Sequence, residues 1–277
     1  MWVAAPAHAW VQYLAGNTTG CGLRWYADAT LTTPPVIPVQ LDNRGLDGIS
    51  TAQWQAALVT ALDQWQSSTC TTASGTSKVG FSLQFAGAAT PTVLGAGCSN
   101  ATVPCTAKVN NGNFVRAVKT GEEWKQSTTI FALTTLTFDT CTGEIIDGDI
   151  ELDDSHHDFC TDNCAPGQQS LCNTLSHETG HLLGLDHSAF AEATMDNSGP
   201  SGQTKKCTLH GDDRQAVCTT YATGCGRSHS CAATKATTTS GCAARPMANQ
   251  RNTVSAMALL GVAAVWLLQR RRPRITP

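Results

Sequence analysis

His177-Glu178-Thr179-Gly180-His181-Leu182-Leu183-Gly184-Leu185-Asp186-His187 is the stretch whose spacing decides the reading of this chain. Residues four apart share one face of an α-helix, so His177 and His181 present two imidazoles to a single point. Nitrogen ligands so arranged suit a borderline-soft divalent ion, and zinc is the expected metal. Glu178 follows the first ligand by one residue, near enough to reach a water on the metal without coordinating it, which makes it the candidate general base. Gly184 is expected to end the helix, because a sharp reversal needs the left-handed backbone that glycine tolerates. That reversal delivers His187 as the third ligand. Three histidines leave a fourth position for water, the open geometry of a catalytic rather than a structural zinc site. A plain HExxH recurs by chance; here HExxHxxGxxH is filled throughout, and chance explains it poorly.

Outward from the motif, Leu171, Leu175 and Leu182 form a stripe rotated away from the two histidines, which packs the helix onto a sheet. The helix is expected to begin near Gln168. A second helix is predicted from Ser50 to about Ser67, with Trp54, Leu58, Ala61, Leu62 and Trp65 at helical spacing and a capping box in Ser50 and Gln53. Val79, Phe81, Leu83 and Phe85 alternate with Gly80, Ser82 and Gln84, the period-two pattern of a strand. Residues 87–129 read as a long loop holding Cys98 and Cys105, with one short strand at Phe114 to Val118. Ile130 to Phe138 and Glu144 to Leu152 form an expected hairpin, turning at Cys141-Thr142-Gly143, with a polar outer face. Seven of the 21 acidic residues lie between Glu144 and Asp158, which suits either a calcium site or a charged edge strand. No EF-hand spacing accompanies them.

The chain has 277 residues, 41% apolar and 14% charged, which fits one catalytic-sized domain with tails. Net charge is −3, but Arg270, Arg271, Arg272 and Arg274 hold four of the 18 basic residues, so the rest of the chain sets 14 against 21, or −7. A basic footprint for nucleic acid is therefore not expected on the folded body. Thirteen cysteines, scattered from Cys21 to Cys242 without repeated CxxC pairs, point to an oxidising compartment and disulfides. Ala7-His8-Ala9 reads as a small-x-small cleavage site before Trp10, so residues 1–9 are either the remnant of a truncated signal peptide or an Ala-rich start.

The extended motif resembles that of the metzincin metallopeptidases, and Leu183-Gly184-Leu185-Asp186-His187-Ser188 is similar to the matrixin branch. Ala193-Thr194-Met195 stands eight residues past His187, a separation similar to that of the matrixin methionine turn, which makes Met195 the residue beneath the zinc. The second position after Met195 is not tyrosine, unlike astacin-like and serralysin-like enzymes, which again favours the matrixin branch. The resemblance covers about residues 20–221 and implies an α+β, zincin-like fold: a mixed twisted sheet, an active-site helix and a helical C-terminal subdomain ending in a helix near Asp212 to Tyr221. In matrixins an edge strand before the active-site helix pairs with extended substrate, and Asp149, Ile150, Glu151 and Leu152 stand in the matching place, so they are the expected substrate-binding residues. The structural zinc and calcium motifs of matrixins are not recognisable, and Asp196-Asn197 replaces the usual aromatic-proline pair. The implied protein is a monomeric zinc endopeptidase acting on peptides or proteins, with one catalytic Zn²⁺ and a Ca²⁺ site as an option. The competing class is a zinc-bound surface adhesion module that does not cleave; Glu178 argues against it, since such a module needs no base.

Gly20-Cys21-Gly22 lacks the Pro, Arg and Asp that flank the matrixin latency cysteine, so Cys21 is expected in a disulfide. His156-His157 with Asp153, Asp154 and Asp158 offers a second metal site or a solvated loop, and the loop is favoured because adjacent residues rarely converge alone. Cys160, Cys164 and Cys172 are expected to staple the loop before the active-site helix. The domain at 10–221 gives way to a Thr/Ser-rich linker at 222–253 and an apolar segment with an Arg-rich tail at 254–277. Val254 to Leu268 is uncharged over 15 residues, short for the ~20 of a membrane span but flanked like a stop-transfer segment. Gly241-Cys242, the apolar run and the arginines resemble MYXO-CTERM sorting signals, which implies Cys242 as an anchor to the cell envelope and a secreted or surface location.

Overall fold

The computed structural model describes residues 11–12, 22–26, 34–72, 75–91, 112–138, 143–199 and 201–221, and the backbone of 252–258. Residues 1–9, Cys21, most of the 222–253 linker with Cys242, and the arginine-rich tail lie outside them. The chain begins its regular structure with β1 (Val36–Asp42), where Ile37, Val39 and Leu41 are buried and Val36, Pro38 and Gln40 face away. No strand is among the sequence expectations before Ser50, although Ile37, Val39 and Leu41 alternate with Val36, Pro38 and Gln40. Pro34, Pro35 and Pro38 read as breakers, yet in a parallel ladder Pro38 forfeits a single N–H while its carbonyl still accepts from Asn113 Nδ2 at 2.7 Å.

Helix α1 (Thr51–Gln66) follows, closed at its start by the expected reciprocal Ser50 and Gln53 capping box. Next come the hairpin strands β2 (Thr69–Thr72) and β3 (Gly75–Lys78), β4 (Ser82–Ala89), β5 (Asn113–Val118), β6 (Ile130–Phe138) and β7 (Ile145–Asp153). Short strands β8 (Phe159–Cys160) and β9 (Gln169–Ser170) pair in parallel and lead into α2 (Leu171–Leu182). A 3₁₀ turn at Lys205–Cys207, α3 (Gly211–Thr220) and β10 (Asn252–Ala258) complete the described elements. The predicted strand at 79–85 starts later than its hydrophobic pattern: Val79 and Phe81 are buried in the approach to β4, and regular pairing begins at Ser82.

The main sheet runs β10-β6-β7-β5-β1-β4. Strands β4, β1, β5 and β7 are mutually parallel, whereas β6 is antiparallel to β7 and β10 antiparallel to β6. One face packs on the two long helices, with Trp54, Leu58, Leu62 and Trp65 of α1 and Leu171, Leu175 and Leu182 of α2 all within 2% of full burial. At about 1.5–3 kcal/mol for each large apolar side chain removed from water, this seam is what holds the sheet and helices as one α+β body. Trp65 adds a directional tie, its Nε1 donating to Ser176 O of α2 at 2.8 Å.

The sheet order corrects the expected substrate strand. β7 pairs with β5 on one side and β6 on the other, so Asp149, Ile150, Glu151 and Leu152 have no open edge at which to receive a peptide. Among the strands between Val36 and Tyr221, the one that borders the sheet on this side is β6. The polar face of the hairpin is also not a solvent face, since Asp147, Asp149 and Asp153 are all buried. Asp149 Oδ1 accepts from Phe114 N at 3.0 Å, and Asp153 from Ser155 and His156. Burial, then the neighbouring Asp149 carboxylate, pushes Asp147 well above the usual carboxylate range. Alternation alone cannot tell a charged edge from an interior strand whose acids find local partners.

The apolar segment at 254–277 is likewise redrawn at its start. Asn252–Ala258 forms a strand, and among the described residues no helix is long and apolar enough to cross a membrane. Residues 259–277 lie outside the described residues.

All six described cysteines are in disulfides. Cys160–Cys164 staples the loop before α2 as expected, but Cys172 sits on α2 and joins Cys207 of the 3₁₀ turn instead. Cys70–Cys218 ties the β2–β3 hairpin to α3 across a separation of 148 residues. Replacing Cys70 and Cys218 together by alanine is expected to cost about 2–5 kcal/mol, read as a lower denaturant midpoint. An unchanged midpoint would show that this bridge does not restrain the fold.

Candidate metal centre

Helix α2 starts at Ser170, whose side chain accepts from Asn173 N, and ends where Gly184 takes φ +86°. A Cβ at Gly184 would stand 2.3 Å from Leu23 O, so both the left-handed backbone and the close approach exclude a side chain there. The buried carbonyls at this end find partners from afar. Trp25 Nε1 donates to Leu182 O at 2.8 Å, and Tyr221 Oη donates to Leu183 O at 3.0 Å. The reversal anticipated from the glycine therefore exists, and two aromatic side chains hold it in place.

His177, His181 and His187 converge as the spacing requires, with one ligand nitrogen from each within 4.8 Å of the others. His177 Nδ1 donates to Thr194 O and His181 Nδ1 to Leu185 O, both at 2.7 Å. A carbonyl can only accept, so both Nδ1 atoms carry protons and the Nε2 lone pairs point inward. Those two Nε2 atoms are 3.1 Å apart. Two facing lone pairs at that distance repel unless a cation lies between them, and a tetrahedral ion with ligands at about 2.0–2.1 Å separates its nitrogens by roughly 3.4 Å. The donor set thus fits zinc. Burial is the first cause that pulls all three imidazoles below their ordinary pKa, His181 to about 3, which keeps them neutral and able to ligate.

Glu178 lies beside this cluster without joining it. Its Oε2 accepts from Thr134 Oγ1 at 2.6 Å, and the same hydroxyl lies 3.1 Å from Glu178 O. Its Oε1 is buried with no hydrogen-bond partner among the described residues. Burial pushes the carboxyl up to about 8, opposed by Thr134 and by the charge of Lys206. Nothing in the sequence singles out Thr134; it belongs to β6, and only the packing of β6 on α2 brings it to Glu178.

Met195 lies under α2, fully buried, at a point where a Cβ on Gly180 would come within 2.2 Å of its sulfur. The turn around it is held from α3. Asp213 accepts from Thr194 N at 2.8 Å, Met195 N at 3.0 Å and His210 N at 2.7 Å, while Ser188 N donates to Met195 O at 2.8 Å. The Thr194 carbonyl so fixed is the one that orients His177, a link from α3 through the turn to the histidine cluster. Lys206, fully buried, donates from Nζ to Asp196 O, and burial pulls its pKa down to about 8. Neither Asp213 nor Lys206 has a sequence signal that marks it out.

The remaining candidates stay apart from the cluster. His156 pairs with Asp153 at 2.9 Å, His157 reaches Thr128 O at 2.9 Å, and Asp154 pairs with Lys119 at 2.5 Å. Among the described residues only the three-histidine group gathers ligands for an ion.

Residues 119–222 match the Matrixin family model. The matched stretch runs from the end of β5 through β6, β7, α2 and α3, and so contains every group of the cluster. It supports a matrixin-like metzincin and, with the three histidines, a metallopeptidase that uses zinc. No curated protein matches the chain. The matrixin-like stretch covers the site but not β1, α1 or β4, which complete the sheet and its helical cover.

Proposed function

We propose that the chain is an exported zinc endopeptidase, with His177, His181 and His187 holding the metal and Glu178 as general base. The observation that carries this is the convergence of three imidazole nitrogens, with the carboxylate of Glu178, next in the chain to His177, outside that group, buried and with Oε1 unpartnered among the described residues. When bound, zinc supplies a Lewis acid for the scissile carbonyl and lowers the pKa of a coordinated water. Glu178 takes the proton of the attacking water and delivers it to the leaving amine. Thr134, donating to Oε2, holds one carboxylate oxygen and leaves Oε1 for that transfer. Met195 fills the space under α2 that Gly180 leaves, and Thr194 fixes the His177 ring. The outer side of β6, next to Glu178, is the place for an extended peptide to pair. Export is supported by the three described disulfides, which are consistent with an extracellular location.

The test is metal content alongside cleavage of casein or gelatin, with and without a chelator. About one zinc per chain and cleavage abolished by chelation and restored by zinc is the expected result. Zinc bound without cleavage of a broad peptide library would favour the adhesion module, and absence of zinc would overturn both readings.

A further inference from the structure

The outer side of β6 is not bare. Asn252–Ala258, separated from Tyr221 by 30 residues, lies on it as an antiparallel strand, with Asn252 opposite Leu136, Thr253 opposite Thr135, Val254 opposite Thr134, Ala256 opposite Leu133 and Ala258 opposite Ile130. The other side of β6 is taken by β7, so β10 sits on the one side of this strand to which a further chain can add. Its position relative to the chemistry is specific. Thr134, the residue facing Val254 across the ladder, is the residue whose hydroxyl holds the Glu178 carboxylate, and β10 also approaches α2. Glu178 itself is fully buried.

We propose that Asn252–Ala258 is an internal occupant of the peptide-binding edge and competes with substrate for it. The competition rests on the peptidase reading above, whereas occupancy of the edge does not. An antiparallel strand on β6 uses the same backbone N–H and C=O groups that an extended peptide would use, so the two cannot pair with one stretch of β6 together. The composition of the segment suits strand addition, since Asn-Thr-Val-Ser-Ala-Met-Ala carries no charge and no proline to block pairing. It is also built to yield. The register shifts between Val254 and Ala256 and again between Ala256 and Ala258, so the ladder is interrupted twice in seven residues, and a peptide that pairs regularly makes more bonds over the same length. Because segment and edge belong to one chain, the effective concentration is on the order of 1 mM. A segment whose own Kd is about 0.1 mM at that concentration raises the KM of a competing peptide roughly tenfold and leaves kcat unchanged.

The test uses the full chain carrying Val254→Pro and Ala256→Pro, which removes two backbone donors from the strand and leaves every residue of α1, α2 and the histidine cluster unchanged. Three measurements are compared with the parent: hydrogen exchange of the Leu133–Leu136 amides, binding of a synthetic Asn-Thr-Val-Ser-Ala-Met-Ala peptide, and KM with kcat for casein-derived peptides. The substituted chain should lose protection at those of these amides that face β10 and keep it at those bonded to β7, bind the synthetic peptide about tenfold more tightly, and show a KM about tenfold lower at equal kcat. Equal protection and equal peptide affinity in the two proteins would overturn the inference even if both cleave. If protection and peptide affinity shift but neither protein cleaves anything, the occupied edge stands and the peptidase reading falls. If both shift and both proteins cleave with one KM, the segment does not compete with substrate and that part of the proposal is wrong.

Discussion

Replacing Glu178 by glutamine is expected to lower kcat by about 10² to 10⁴ while zinc content and fold are retained, the range general acid–base groups supply. The amide nearly matches the carboxylate in shape, and its oxygen can still accept from Thr134, which now donates to Oε2 at 2.6 Å. What is lost is the acceptor for the proton of the attacking water and, later, the donor to the amine. The three imidazoles are untouched, because Glu178 lies outside the group of converging ligand nitrogens. The measurement is steady-state cleavage beside metal analysis of the same preparation. A Glu178→Gln variant that holds zinc and cleaves at the parental rate would refute the assignment of the base.

His187→Ala should remove metal and activity together, a different signature from loss of the base. His177 and His181 are held by α2 and by the carbonyls of Thr194 and Leu185, so two ligands remain in place. Two imidazoles make a poor zinc site, since catalytic zinc centres take three protein ligands. Thermal unfolding gives a readout independent of cleavage. A ligand present at 100 times its Kd stabilises the native state by about 2.7 kcal/mol, so a chelator should lower the Tm of the parent and leave that of His187→Ala nearly unmoved. If His187→Ala keeps stoichiometric zinc and the chelator shift, the third ligand lies elsewhere.

The two substitutions differ because the motif separates its roles by position along the helix. His177 and His181 share a face, and Glu178 is turned from that face toward β6, where Thr134 meets it. Sequence spacing gives the first statement in full. For the second it gives only the carboxylate; the hydroxyl that holds it comes from a strand 44 residues earlier, and no pattern around Thr134 distinguishes it from Thr135 or Thr137.

The strands show the same limit. β6 and β7 are both legible as period-two runs joined by a turn, and the structure pairs them antiparallel as the hairpin reading requires. Which of the two borders the site is not legible. The acids of β7 suggest an edge, but Asp149 and Asp153 are satisfied by Phe114 N and by Ser155 and His156, and β5 closes that side. β1 escapes a pattern reading because Pro38 within it and Pro34-Pro35 before it mask a buried alternation of Ile37, Val39 and Leu41, although it lies between β4 and β5 in the sheet.

The amino-acid sequence by itself determined whatever depends on residues a few positions apart: the two histidines one helical turn from each other, the glutamate beside them, the glycine that must adopt φ +86°, and the capping box that starts α1. These follow from helix geometry and local sterics, which need no partner from elsewhere in the chain. Tertiary structure alone decided the order of strands, the burial of the β7 acids, the Asp213 hold on the methionine turn, the Thr134 contact and the strand that covers the outer side of β6. Each of these joins groups distant in sequence through packing and hydrogen bonds made only once the sheet and helices have met, and a hydroxyl or carboxylate carries no mark in advance of the partner it will find.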